Sequence, residues 1–143
     1  MSDYGVLTVE VVAITGKVWE GQAENVIVRT VDGDLGILPG HSPVLAVLQA
    51  SAAEIITSDG QQLLIAVDGG YISVEKNHGS VLAQYATLAD KIDESAALDQ
   101  MVKLQALVES GRATEDEYHR YHLARAQVRV IRKLGRETPE IAE

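Results

Sequence analysis

The chain has 143 residues, no cysteine and a formal net charge of −9, so it is one domain or two small ones, with a modest core and neither disulfide nor thiolate metal site. An acidic balance of this size excludes a general nucleic-acid partner, which needs a positive surface. No apolar run approaches the roughly 18 residues of a membrane span, and the polar start Met1-Ser2-Asp3-Tyr4-Gly5 shows no signal or transit pattern.

With no Phe and a single Trp, the core is expected to be built from Val, Ile, Leu and Ala, which suits thin layers of closely spaced strands. Leu7–Ile14 and Glu24–Val31 alternate at period two and are rich in β-branched residues, which predicts strands. Residues 53–57 and 61–67 read as a hairpin about Ser58-Asp59-Gly60, and residues 71–75 and 80–83 as another about Lys76-Asn77-His78-Gly79. Asp68-Gly69-Gly70 marks a bulge or bend between them. Short strands at this spacing predict an antiparallel sandwich or flattened barrel.

One segment fits neither strand nor helix. Gly33-Asp34-Leu35-Gly36-Ile37-Leu38-Pro39-Gly40-His41-Ser42-Pro43-Val44-Leu45-Ala46-Val47-Leu48 mixes glycines, prolines and a histidine with aliphatics. Glycine admits backbone angles a side chain forbids, while proline fixes φ and removes a donor. The whole segment is therefore expected to be a rigid, shaped loop between two strands, of the kind built to touch a partner.

The pattern changes near residue 88. Leu98, Met101, Val102, Gln105, Leu107 and Val108 follow helical spacing, and Ser110-Gly111 reads as a stop. Thr114-Glu115-Asp116-Glu117 forms a capping box that opens a second helix over about 115–134, expected to end at Gly135. A short turn between them makes residues 89–135 an antiparallel helical hairpin. The stretch from Arg136, with Pro139, is expected to fray. The division is thus a sandwich over 1–87 and a hairpin over 88–143.

Charge separates the two parts. Six bases and no acid lie between residues 118 and 136. At about 100° per residue, Arg125, Arg129, Arg132, Lys133 and Arg136 share one arc, while Leu123, Ala124, Val128, Val130, Ile131 and Leu134 take the other side. Arg120 alone falls among the apolar positions. Such an arc is either a solvated face or a surface for an acidic partner. A catalytic reading of His41 beside Ser42, with Asp34 or Asp68, lacks a nucleophile-elbow motif, and adjacent His-Ser side chains usually point apart. His41, His78, His119 and His122 lack metal-ligand spacing. No catalytic or metal-binding residue is assigned.

The pattern G-[DE]-[LI]-G-I-x-P-G-H-x-P-[LV]-L, here Gly33 to Leu45, resembles the signature of the epsilon subunit of F-type ATP synthases. The likeness extends through Val9-Glu10-Val11-Val12, Val28-Arg29-Thr30, residues 65–74, Val81-Leu82-Ala83 and Ala89-Asp90-Lys91-Ile92-Asp93 to about Leu134. It implies an α+β fold: an antiparallel sandwich of about ten strands followed by a two-helix hairpin. It further implies a non-catalytic central-stalk subunit that couples proton-driven rotation of the c-subunit ring to gamma and the α/β catalytic hexamer. The membrane would be reached only through that complex, at the cytoplasmic face of a bacterial plasma membrane.

By the same resemblance, Ala13, Asp34, Gly36, Pro39, Gly40, His41 and Pro43 would face gamma and the ring. An extended hairpin would inhibit ATP hydrolysis, with Arg125, Arg129, Arg132 and Lys133 meeting an acidic segment of a β subunit. Some members bind ATP through an Ile/Leu-Asp-x-x-Arg-Ala motif and second-helix arginines. The matching positions here are Ile92, Asp93, Ala97, Arg125 and Arg129, but Ala96 replaces the motif's arginine and Thr87 stands where glutamate is usual. No cofactor is expected, and ATP binding is expected to be weak or absent. The alternative is a free-standing regulatory module whose hairpin responds to a small ligand.

Overall fold

The computed structural model describes residues 5–137, with side chains to residue 135. Nine strands precede two helices. β1 (Leu7–Ala13) alternates as predicted, turning Leu7, Val9, Val11 and Ala13 inward. β2 (Gly16–Thr30) is far longer than the predicted strand, at 15 residues. Its first half pairs with β1, and its second half with both β3 (Gly33–Ile37) and β5 (Ser51–Thr57). The register slips between Ala23 and Asn25, where β2 leaves β1 for β3. β4 (Val44–Leu48), β7 (Gly70–Glu75) and β8 (His78–Leu82) close a ring through β1 and the end of β2. β6 (Gln62–Val67) and β9 (Ala86–Leu88) extend the sheet beyond β5.

The described residues hold nine strands, in keeping with the expected count of about ten. Three expectations need correction. One pair, β1 with β8, is parallel. The Gly33–Leu48 segment is two strands flanking a loop of residues 38–43, because Gly33–Ile37 pairs along β2 and Val44–Leu48 along β7. The last strand, β9, reaches Leu88, so the 87/88 division falls within it.

The core between the layers is Leu7, Val9, Val11, Val26, Val28, Ile37, Ile55, Ile65, Ile72, Val74 and Val81, with smaller neighbours. Two turns are steep. Lys76 and Asn77 both take positive φ, 53° and 62°, as a two-residue hairpin of this twist requires. Gly70 (φ 107°) starts β7 against β8, where an added Cβ would sit 2.0 Å from the carbonyl oxygen of Leu82.

A short 3-10 turn at Ala89–Lys91 leads to α1 (Glu94–Glu109) and α2 (Glu115–Glu137). Asp93 caps α1, its carboxylate accepting from the Ala96 N–H at 3.1 Å. The predicted capping box is present: Thr114 Oγ1 accepts from Glu117 N at 3.1 Å, and Glu117 Oε1 from Thr114 N at 2.9 Å. Gly135 does not stop α2, which continues to Glu137. α2 lays Ala126 and Val130 on Leu64 and Ala66 of β6, with Ile92 alongside. Its Ala124 and Val128 meet Ala97 and Met101 of α1. The buried positions of α1 are therefore Ala97 and Leu104, while Leu98 is exposed and Val102 is 74% exposed. Ala124 and Val128 of α2 face Ala97 and Met101, so Leu98 and Val102, among the apolar positions read from sequence, lie outside the contact.

Replacing Gly70 by Ala is expected to cost at least about 3 kcal/mol, from a backbone clash added to strained φ. Gly60, also at positive φ (88°) but with open space around it, is expected to lose only about 1–2 kcal/mol on the same change. Urea unfolding of the two variants checks the difference, and equal losses would mean the Leu82 contact is not limiting.

Candidate functional site

The loop between β3 and β4 is built by its own backbone. His41 N donates to Leu38 O at 3.1 Å, and Gly40 takes φ 88°. Gly40 N donates to Asn77 Oδ1 at 2.8 Å, which ties the loop to the β7–β8 turn. The imidazole of His41 donates from Nδ1 to the backbone carbonyl of Ser42, at 2.7 Å. It does not reach the Ser42 hydroxyl. Asp68 is engaged elsewhere, by Tyr85 and His119. The geometry of a Ser-His-Asp site is thus not assembled.

The predicted contact residues lie on different elements. Pro39, Gly40, His41 and Pro43 belong to the loop. Asp34 lies on β3 opposite Arg29, with their side chains 3.1 Å apart, and its carboxylate is 65% exposed. Asp34 lines a cleft of about 560 Å³ with Arg29, Ser51, Glu54, Arg129, Arg132 and Lys133. Gly36 is exposed between the two. Ala13 is buried, so any contact at that end of β1 falls to the exposed Ile14.

Sequence reasoning missed an apolar stripe. Across the outer face of β4, β7 and β8, Val47 stands opposite Tyr71 and Tyr71 opposite Leu82. All three are exposed, and Leu45 beside them is 74% exposed. The signal was the unbroken run Val44-Leu45-Ala46-Val47-Leu48. A strand apolar on every position expects cover on both faces, and only one face meets the core. Exposed apolar surface of this kind marks an interaction site.

The basic arc of α2 turns toward the sandwich. Arg129 Nη1 donates to Ala50 O at 3.2 Å, and Lys133 Nζ lies 3.9 Å from Glu54 Oε1. Burial, then the nearby Arg125 and Arg29, lower the Arg129 pKa from its ordinary value. Arg125 and Arg129 also line a smaller cleft of about 300 Å³ with Leu48, Gln49, Ala50, Asp68, Tyr118 and His122. The Arg136 side chain lies outside the described residues. Arg120, placed by the helical wheel among apolar positions, is exposed and pairs with Asp116 at 2.6 Å.

The residues matching the ATP motif are dispersed. Asp93 caps α1, Ile92 packs with Leu64 and Ala126, and Ala97 packs with Ala124 and Val128. None of the three lines either cleft that holds Arg125 or Arg129. Thr87 accepts a hydrogen bond from Gln127 of α2 at 3.1 Å.

Residues 6–89 match the family described as ATP synthase, Delta/Epsilon chain, beta-sandwich domain. The ATP synthase epsilon chain of Cutibacterium acnes is 40% identical over 144 aligned residues, covering 94% of this chain and 98% of the relative. The chain belongs to the ATP synthase epsilon-chain family. The epsilon chain of Streptomyces coelicolor is 39% identical over 130 residues, covering 91% and 97%. The fold agrees with a chain in the Euglena gracilis mitochondrial ATP synthase OSCP/F1/c-ring structure, at a TM-score of 0.67 and 15% identity, over 90% of this chain and 81% of that one. Epsilon chains are accessory subunits and not themselves catalytic. Among the described residues no helix is long and apolar enough to cross a membrane.

Because the Arg29–Asp34 pair is exposed, Asp34→Ala is expected to change unfolding free energy by less than about 1 kcal/mol. Chemical denaturation checks this. A loss above about 2 kcal/mol would make Asp34 a structural residue, unsuited as a probe of partner binding.

Proposed function

We propose that this chain is a central-stalk subunit of an F-type ATP synthase, coupling c-ring rotation to gamma and the α/β hexamer, with a hairpin that restrains ATP hydrolysis when released. The carrying observation is the division of the surface with the hairpin docked. The apolar stripe and the Leu38–Pro43 loop stay open, whereas Arg129 and Lys133 of the basic arc engage the sandwich. In this reading the stripe meets gamma and the loop, with Asp34, meets polar segments of the ring. Release of the hairpin frees Arg125, Arg129, Arg132 and Lys133 for an acidic surface of the hexamer. Charge of this one-sided kind sets partner choice and orientation more than raw affinity.

ATP is not expected to be the releasing or docking ligand. Without the arginine at position 96, a charge-assisted phosphate contact of about 1.5–3 kcal/mol is absent. Nor do Ile92, Asp93 and Ala97 line either of the two clefts that hold Arg125 or Arg129. Calorimetry on the full chain should find no ATP dissociation constant at or below the millimolar range. Tight, saturable binding would reinstate the ligand-responsive module.

The test of function is made on the complete complex in mild detergent. Deleting residues 89–143 is expected to leave the subunits associated and to raise ATP hydrolysis. Replacing Arg125, Arg129, Arg132 and Lys133 together by Ala should raise it as well. Unchanged hydrolysis in both would leave a coupling subunit without a brake. Failure of the full chain to co-purify with gamma and the hexamer would overturn the stalk assignment itself.

A further inference from the structure

Two tight turns meet at one end of the sandwich, and a single side chain joins them. Leu38-Pro39-Gly40-His41 closes on itself, His41 N donating to Leu38 O at 3.1 Å with Gly40 at φ 88°. Proline second and glycine third, at positive φ, make this a type II turn. Its closing bond uses the His41 N–H, and Pro39 has no N–H to give. The Gly40 N–H is left for a partner outside the turn, and it donates to Asn77 Oδ1 at 2.8 Å. A backbone N–H can only donate, which sets the oxygen of the Asn77 amide toward the loop. We propose that Asn77 is a positioning residue for the Leu38–Pro43 loop, its amide fixing where the loop's turn stands on the sandwich.

The choice of residue at position 77 agrees with that role. β7 and β8 are joined by Lys76 and Asn77, with Glu75 paired to His78. Both central positions need positive φ, and the second is most often glycine. Asparagine tolerates that conformation and brings an amide that glycine lacks. Its backbone carbonyl accepts from Thr8 N of β1 at 2.8 Å. The amide is thus carried by a turn locked to β1, β7 and β8. Asn77 is half-buried, which reduces competition from water for its oxygen.

The loop lacks other support of this kind. Ile37 pairs with Val26 on β2 and Val44 with Val74 on β7, but residues 38–43 between them carry no strand pairing. The bond from His41 Nδ1 to the Ser42 carbonyl is internal to the loop. The Gly40–Asn77 bond spans 37 positions and falls at the loop's middle, beside the exposed Leu38. Without it the turn keeps its shape and loses its place. A contact loop already held in position has less ordering to undergo when it binds. The same tie sets the loop on the layer whose outer face carries Val47, Tyr71 and Leu82. A displacement imposed at the loop then passes to that face instead of being absorbed by loop movement. That the loop meets the ring and the stripe meets gamma is the reading proposed above, and the coupling role of Asn77 rests on it.

Two substitutions separate the tether from the turn. Asn77→Gly keeps the positive φ and removes the acceptor, whereas Asn77→Asp keeps both. Amide exchange followed by NMR on the isolated full-length chain reads Gly40 against Ile72 and Val81, which are buried in the core of the same layer. In N77G the relative protection of Gly40 is expected to fall about fivefold, the loss that goes with one ordinary hydrogen bond, and in N77D to be retained. Unchanged protection in N77G, or equal loss in N77D, would overturn the positioning role. The second readout is ATP-driven proton pumping per ATP hydrolysed by the complete complex in lipid vesicles. It should drop in N77G and recover in N77D. Normal pumping by an N77G complex, once exchange shows Gly40 released, would overturn the coupling role. A wild-type chain that fails to join gamma and the hexamer sinks the stalk assignment instead and leaves the exchange result standing.

Discussion

The hairpin is held by a seam of small residues. Ala126 and Val130 of α2 lie on Leu64 and Ala66 of β6, and Ala124 and Val128 of the same helix carry Ala97 and Met101 of α1. α2 is thus the middle layer of a three-layer stack, and α1 is held through it. Small side chains allow close approach but bury little apolar area each, and burial stabilises at roughly 25 cal/mol per Å². Per residue, such a seam contributes less burial than the Ile, Leu and Val core of the sheet. Polar contacts from His119, Gln127, Arg129 and Lys133 to the sandwich set the register of the helix along that seam.

The sandwich, by contrast, is built not to open. β2 belongs to both layers, pairing first with β1 and then with β3 and β5. The ring through β1, β8, β7 and β4 closes on it, so the strands of that layer have few free edges. Its main hydrophobic cluster is aliphatic, and a single Trp packs at its margin. A rigid body with an exposed apolar stripe on one face and a loosely held lever on another suits a part that must both grip and switch.

Much of this was legible in the chain. Period-two alternation placed β1, and the reciprocal Thr114–Glu117 cap placed the start of α2, because both are local patterns with local causes. The glycine-proline-histidine motif named the family, yet its reading as one long loop was wrong. Strand pairing to β2 and β7 overrode the turn residues there, and that pairing is non-local. The seam of α1 was only partly legible, since its partner helix takes up Met101 but leaves Leu98 and Val102 exposed. The Asp68–His119 hydrogen bond was invisible: the two residues are 51 positions apart and meet only when the hairpin folds back. Asp34 and the basic arc likewise come together only through tertiary docking.

The central claim is that a docked hairpin leaves hydrolysis free and a released one restrains it. The most direct measurement locks the seam. The chain has no cysteine of its own, so a cysteine pair at Ala66 and Ala126 can be oxidised across it in the complete complex, with bond formation read on a gel. Hydrolysis by the locked complex is expected to match that of a complex lacking residues 89–143, and to fall again on reduction. A locked complex as restrained as the reduced one would contradict the claim, because the hairpin could not then be the brake.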